Sequence, residues 1–163
     1  LLAKRILKML NDKSINVDFG VLDITFFRDD FRRNQKSLKA SRTDLNFSIE
    51  NKTIVLIDDV LYTGRSIRAA LDALQSYGRP SSVQLLNLID RRFSRELPIQ
   101  PDYCGIQVDS RMNQKVIVKW IEDDKEDAVY LLALLGLQTF FFKIAQEQRY
   151  RLNLHKKDCQ PML

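Results

Sequence analysis

The order of residues from 55 to 67, Val-Leu-Ile-Asp-Asp-Val-Leu-Tyr-Thr-Gly-Arg-Ser-Ile, constrains the fold more than any other stretch of the chain. Residues 54–57 are apolar at every position, the pattern of a parallel strand buried on both faces. From Ser66 onward Ile67, Ala70, Leu71 and Leu74 recur at helical spacing, and Gly78 followed by Pro80 ends the pattern. Two adjacent acids and a small polar loop therefore sit where a strand hands over to a helix. A second apolar run over 83–89 completes a right-handed βαβ unit, which brings the carboxyl ends of both strands to one crevice.

That crevice is where open α/β sheets bind ligands, and a helix N-terminus there offers free N–H groups and partial positive charge to a phosphate. Thr63, Gly64, Arg65 and Ser66 suit a phosphate cradle: Gly64 allows a tight turn, Thr63 and Ser66 carry hydroxyl donors, and the Arg65 backbone N–H can join them. Asp58 and Asp59 point to opposite sides if the strand persists. One can then accept from a pair of vicinal sugar hydroxyls while the other meets a metal or developing charge. The plainer alternative has the acids end a strand, with Thr63 or Ser66 as the N-cap of the next helix. Two acids alone favour that alternative; strand, acids, phosphate loop and helix in this order favour the phosphate site.

The same string resembles the phosphoribosyl-diphosphate (PRPP) signature of the type I phosphoribosyltransferases. Further segments narrow the likeness: Asp23-Ile24-Thr25 with Phe27-Arg28-Asp29-Asp30, Gly78-Arg79-Pro80-Ser81-Ser82-Val83-Gln84-Leu85, Asp90-Arg91, and Arg95-Glu96-Leu97-Pro98-Ile99. Together they resemble the PyrR family, pyrimidine operon attenuation proteins that also have uracil phosphoribosyltransferase activity, over residues 1–132. The resemblance implies an α/β type I phosphoribosyltransferase fold, a mainly parallel twisted sheet flanked by helices, with a small hood. It implies transfer from PRPP to uracil, giving UMP and pyrophosphate, with Mg2+ as cofactor. Its other implied partners are UTP, an mRNA hairpin bound in a uridine-nucleotide-dependent way, and further copies of the chain in a dimer or larger homo-oligomer. Asp58 and Asp59 take the catalytic positions and, through water, a possible metal site. Tyr62, Thr63, Gly64, Arg65 and Ser66 take the phosphate positions, and Arg28, Arg95 and Val118 further substrate positions. Two alternatives are a type I transferase for a purine or orotate and an inactive fragment that only binds nucleotide.

The chain departs from the family pattern in three places. Asp90-Arg91-Arg92-Phe93-Ser94-Arg95-Glu96 is one residue longer than the usual Asp-Arg-Gly-His-Arg-Glu and has no histidine. Ile106 replaces a lysine common in the family. In the family a helix and strand precede the segment that opens this chain, and the turn after that strand binds pyrophosphate. The chain is therefore read as N-terminally truncated and expected to turn over slowly.

At 163 residues, 45% hydrophobic and 29% charged, the composition is that of one ordinary globular domain. No apolar run spans a bilayer and no leader-like start is present, so a cytoplasmic protein without membrane contact is expected. Cys104, Cys159 and the single histidine, His155, have no disulfide or zinc spacing. The net charge is +5, but Lys143, Arg149, Arg151, Lys156 and Lys157 against Glu147 and Asp158 place more than half of it beyond residue 136. Total charge thus says little about nucleic-acid binding by the domain.

Elsewhere, Leu2, Ile6, Met9 and Leu10 share one helical face, which predicts a core-facing helix over 1–10. Residues 17–27 are β-branched and aromatic and predict a strand. Residues 28–52 are basic with few apolar anchors, and the resemblance makes them the loop that closes over PRPP. Residues 98–110 take the place of the hood, with a strand over 103–108 in which Gly105 allows close backbone approach. Strands are also predicted over 115–121, with Trp120 in core or interface, and over 128–132. Beyond the domain of residues 1–132, residues 133–163 are read as a helical or disordered tail; Leu134, Leu135, Gln138, Phe141, Phe142 and Ala145 suggest a helix.

Overall fold

The apolar stripe of the first segment does form a helix, α1 (Leu2–Asp12), but no residue of it is buried. In the computed structural model, which describes residues 1–29, 43–110, 114–133 and 141–144, α1 lies along the main sheet and leaves a narrow groove of about 120 Å³. Leu2, Ile6, Met9 and Leu10 border it from one side, and Leu86, Leu88 and Gly105 from the other. The helix thus faces the sheet as its periodicity requires without closing onto it. A charged clasp fixes its outer side: the Arg5 guanidinium donates to Glu122 Oε1 at 2.9 Å and to Asp127 at 2.8 and 3.0 Å, and stacks 4.8 Å from the Trp120 ring centroid.

The main sheet contains β1 (Thr53–Leu61), β2 (Ser82–Arg92) and β3 (Tyr103–Asp109), in that order and all parallel. Helix α2 (Arg65–Leu74) joins β1 to β2 and buries Ile67, Ala69, Ala70, Ala73 and Leu74. Ile67 packs with Leu61 and Leu85, and Leu56 and Ile99 close that cluster. A strand buried on both faces was the expectation for residues 54–57, yet Val55 is 44% exposed. Among the described residues β1 pairs only with β2 and is an edge strand, which accounts for the difference.

A second, antiparallel sheet holds β4 (Gln114–Lys119), β5 (Ala128–Ala133) and β6 (Phe141–Ile144), with the short helix α3 (Ile121–Asp124) between the first two. Three expectations are corrected here. Residues 103–108 form no separate hood: they are the third strand of the parallel sheet, and the close approach at Gly105 is to a neighbouring strand, since a Cβ there would lie 2.7 Å from the Leu88 carbonyl oxygen. Residues 17–27 form no strand: their only β-pairing among the described residues is the bridge Val21 to Asp44, and Thr25–Phe27 is a 3-10 turn. Propensity makes a strand only where a partner edge takes its ladder. The helix expected around 134–145 is met by a strand at Phe141–Ile144, which pairs antiparallel with Val129 to Leu132. The remainder of that segment, and residues 30–42 of the expected closing loop, lie outside the described residues.

Candidate active site at the end of the first strand

Strand β1 runs past the two acids to Leu61, so Asp58 and Asp59 belong to its last turns of pleat and their side chains diverge. The chain then turns through Tyr62 and Thr63 to Gly64, which caps α2 in the left-handed conformation at φ +90°. Gly64 has no side chain to cap the helix, but the Thr63 hydroxyl accepts from the Arg65 N–H at 3.4 Å, a long contact that gives Thr63 part of the plain capping role. A glycine is needed twice over here, because a Cβ would be strained at that φ and would also meet Ile99 Cδ1 at 3.3 Å and Leu97 Cβ at 3.4 Å.

Around this turn opens a cavity of about 620 Å³. Its wall includes Asp58, Tyr62, Thr63, Gly64, Arg65 and Ser66, joined by Arg28, so most residues singled out from the sequence converge on one space. Asp59 is exposed and outside the lining, as expected of a neighbour on the opposite side of the strand. Arg95 and Val118 are also outside it; Val118 lies on β4, paired with Val129.

The loop is held from behind. The Thr63 carbonyl accepts from the N–H groups of Glu96 and Leu97 at 3.0 and 3.1 Å, and the Tyr62 carbonyl accepts from the Arg95 guanidinium. Arg95 in turn is paired with Asp90, a carboxylate only 4% exposed at the end of β2. The buried Arg91 lies over the Tyr62 ring at 3.9 Å and donates to Ser110 Oγ and to the Gln114 carbonyl, both at 2.8 Å. Burial pulls the Arg91 guanidinium pKa below its ordinary value, though an arginine remains charged. The carbonyls of Tyr62 and Thr63 are engaged at the back, and within the loop the Arg65 N–H donates to Thr63 Oγ1 at 3.4 Å. The structure thus gives Arg95 a positioning place, behind the loop.

At the mouth, Arg65 donates to Glu96 Oε2 at 2.6 Å and to Asp29 Oδ2 at 2.9 Å, and Arg68 pairs with the same Asp29. These carboxylates hold Arg65 above its ordinary pKa. Sequence reasoning missed Asp29 and Glu96 as wall residues; both stand in segments that carried the family likeness, but their pairing with α2 spans over thirty residues and leaves no local trace.

The acids are electrostatically distinct. Burial first, and the charge of Asp59 second, push the Asp58 carboxyl up to about 6. Asp58 Oδ1 accepts from the Asp59 N–H at 3.0 Å, and Asp59 Oδ1 from the Val60 N–H at 2.9 Å. The Asp58 carboxylate, a hard oxygen donor on the cavity wall, fits Mg2+, which takes one or two carboxylates and completes its shell with water and phosphate oxygens.

The comparisons with known proteins agree with this geometry. Residues 1–121 match the family described as phosphoribosyl transferase domain. The chain is 45% identical over 130 residues to the bifunctional protein PyrR of Geobacter sp. (strain M21), covering 80% of this chain and 71% of that one. To the bifunctional protein PyrR of Clostridioides difficile (strain 630) it is 44% identical over 129 residues, covering 78% and 72%. Among solved structures, a Trypanosoma cruzi hypoxanthine phosphoribosyl transferase superposes with a TM-score of 0.51 at 18% identity, covering 77% of this chain and 63% of that one, a likeness of fold. With the matched family model covering most of the chain and these relatives at 44 to 45% identity, the chain belongs to the phosphoribosyltransferases and, within them, to the PyrR family.

Proposed function

We propose that the cavity beyond β1 binds PRPP and uridine nucleotides, and that the chain acts in uracil phosphoribosyl transfer and in uridine-nucleotide-dependent attenuation through an mRNA hairpin, the two activities of its family. The observation that carries this reading is the convergence of Asp58, Arg28 and the whole turn from Tyr62 to Ser66 on one 620 Å³ space. The turn's N–H groups and the hydroxyls of Thr63 and Ser66 hold the ribose phosphate at the positive end of α2. Asp58 faces the ribose, accepting from its hydroxyls. Arg28, in the cavity wall, adds positive charge to the binding of the anionic phosphoribosyl ligand. Uracil N1 bonds to the anomeric carbon as the bond to pyrophosphate breaks; that bond's electron pair leaves with pyrophosphate, and the N1 proton passes to pyrophosphate or solvent. Holding the reactants in line and stabilising the developing charge account for most of the acceleration. Magnesium, held through water by Asp58, would supply neutralisation of the pyrophosphate.

Calorimetry of UMP binding tests the cradle: Thr63→Ala is expected to weaken it by about tenfold, roughly one lost hydrogen bond to a charged group. No binding by the parent, or an unchanged affinity in the variant, would refute the assignment. PRPP consumption assayed separately with uracil, hypoxanthine, adenine and orotate identifies the base, with uracil expected to be preferred. Preference for a pyrimidine-operon hairpin over a scrambled one tests the RNA role, because selectivity requires unpaired bases read on a folded surface whereas salt-sensitive affinity does not.

A further inference from the structure

The cavity wall contains a piece that neither the phosphate loop nor its brace explains, the turn that ends at Asp29. Its start is fixed by Asp23, whose Oδ1 accepts from the Thr25 N–H at 2.9 Å and from the Thr25 hydroxyl. Its end is fixed by Asp29, which divides its two oxygens: Oδ2 takes Arg65 Nη1 at 2.9 Å and Oδ1 takes Arg68 Nη2. Arg65 and Arg68 are three residues apart and therefore neighbours on the surface of α2. They also stand in its first turn, where the helix dipole opposes positive charge, so a carboxylate bridging both is favoured there. Arg28, extended at φ −79° and ψ 139°, immediately precedes this anchor and lines the cavity.

All three side chains of the clip are about half exposed, at 42 to 55%, so the pairs contribute little to global stability. Their effect is local. We propose that Asp29 is a positioning residue: by clipping its turn to Arg65 and Arg68 it holds Arg28 in the cavity wall, ready for an anionic phosphoribosyl ligand. This rests on the phosphoribosyl reading of the cavity. Loosening the clip leaves every cradle group in place but makes ordering of Arg28 a cost of binding, which weakens affinity without altering the chemical step.

Arg68 does not line the cavity, so beyond the long-range loss of one charge an effect of Arg68→Gln on binding passes through Asp29. Hydrogen exchange at 25–29, which that charge alone does not move, separates the two. The experiment compares Asp29→Asn, Arg68→Gln, the double variant and Arg68→Lys. Hydrogen exchange of amides 25–29 without nucleotide is expected to accelerate in both single variants. UMP affinity and the KM for PRPP should each weaken by about five- to tenfold with kcat nearly unchanged, and the double variant should be no worse than either single one. Arg68→Lys, which keeps the charge, should return both readouts toward the parent. Unchanged exchange, additive losses, or an affinity loss matched by a fall in melting temperature would overturn the proposal. A parent that binds no UMP overturns the phosphoribosyl reading and the positioning role with it, while the exchange data still report whether the clip exists.

Discussion

Behind the phosphate loop, the carbonyls of Tyr62 and Thr63 accept from Arg95, Glu96 and Leu97 in a partly buried seam, whereas in front of it Arg65 meets Asp29 and Glu96 through side chains about half exposed. The seam is directed at backbone atoms and ends on the buried Asp90; the front is charge against charge in water. A backbone-directed contact fixes where a loop runs, and a solvated ion pair adjusts what surrounds it. The loop's shape is therefore assigned to its back and its electrostatics to its front.

The largest expected effect comes from cutting the seam at its buried end. Arg95→Ala removes the guanidinium paired with the buried Asp90 and leaves it, among the described residues, the 3.4 Å hydrogen bond from the Gln107 side chain; it should cost about 3 kcal/mol in urea unfolding, as breaking a buried ion pair does. A loss under about 1 kcal/mol would place the seam on a par with the front. Next is Asp58. Its carboxyl titrates at about 6 in the folded chain against an ordinary 3.8, so the folded state holds the proton more tightly than the unfolded one. Stability therefore falls as pH rises from about 4 to about 6 and levels off above. Asp58→Asn should remove that fall and gain about 2 kcal/mol at neutral pH, while weakening magnesium-dependent nucleotide binding. Parallel stability profiles for parent and variant between pH 4 and 7 would contradict this.

A smaller change is expected at the turn itself. Gly64→Ala should destabilise by about 1 to 2 kcal/mol through the left-handed backbone alone, and the contact with Ile99 should displace the loop and reduce UMP affinity further. A variant with parental stability and affinity would mean that the turn tolerates a Cβ. The smallest effect belongs to the front: Glu96→Gln should shift the unfolding free energy by less than about 1 kcal/mol. Since the Glu96 backbone still donates to Thr63, its UMP affinity should stay near the parent's, and a loss as large as that of Arg95→Ala would erase the distinction between front and back.

What could be read from the sequence follows the reach of the forces involved. Strand β1, helix α2 and the cradle between them lie within about twenty residues, and their periodicities and glycine turn are local signals. The second strand of the βαβ unit followed from the same logic. The missed features all depend on what a segment meets. Residues 17–27 have strand composition, but an edge to pair with is not written in them. Tyr103 to Asp109 would suit a hood or a sheet strand equally by composition, and pairing with β2 decides it. Glu96 and Asp29 were visible as motif letters, yet their convergence on Arg65 from opposite directions of the chain is a tertiary fact. The resemblance gives Arg95 a substrate position, and the structure adds its hydrogen bond to the Tyr62 carbonyl and its pairing with Asp90, which the sequence does not spell out.

The Arg5 clasp has a consequence for the order in which the molecule assembles. Its partners Glu122 and Asp127 lie 117 and 122 residues further along the chain, so the contact closes nearly the whole described domain into a ring. Closing so long a loop is entropically unfavourable until intervening structure has shortened it, and folding slows as such distant pairings dominate. Arg5 is therefore expected to engage after β1, α2 and β2 have condensed. During synthesis α1 emerges well before the acidic turn beside Trp120, and its outer side is secured only once that turn has left the ribosome.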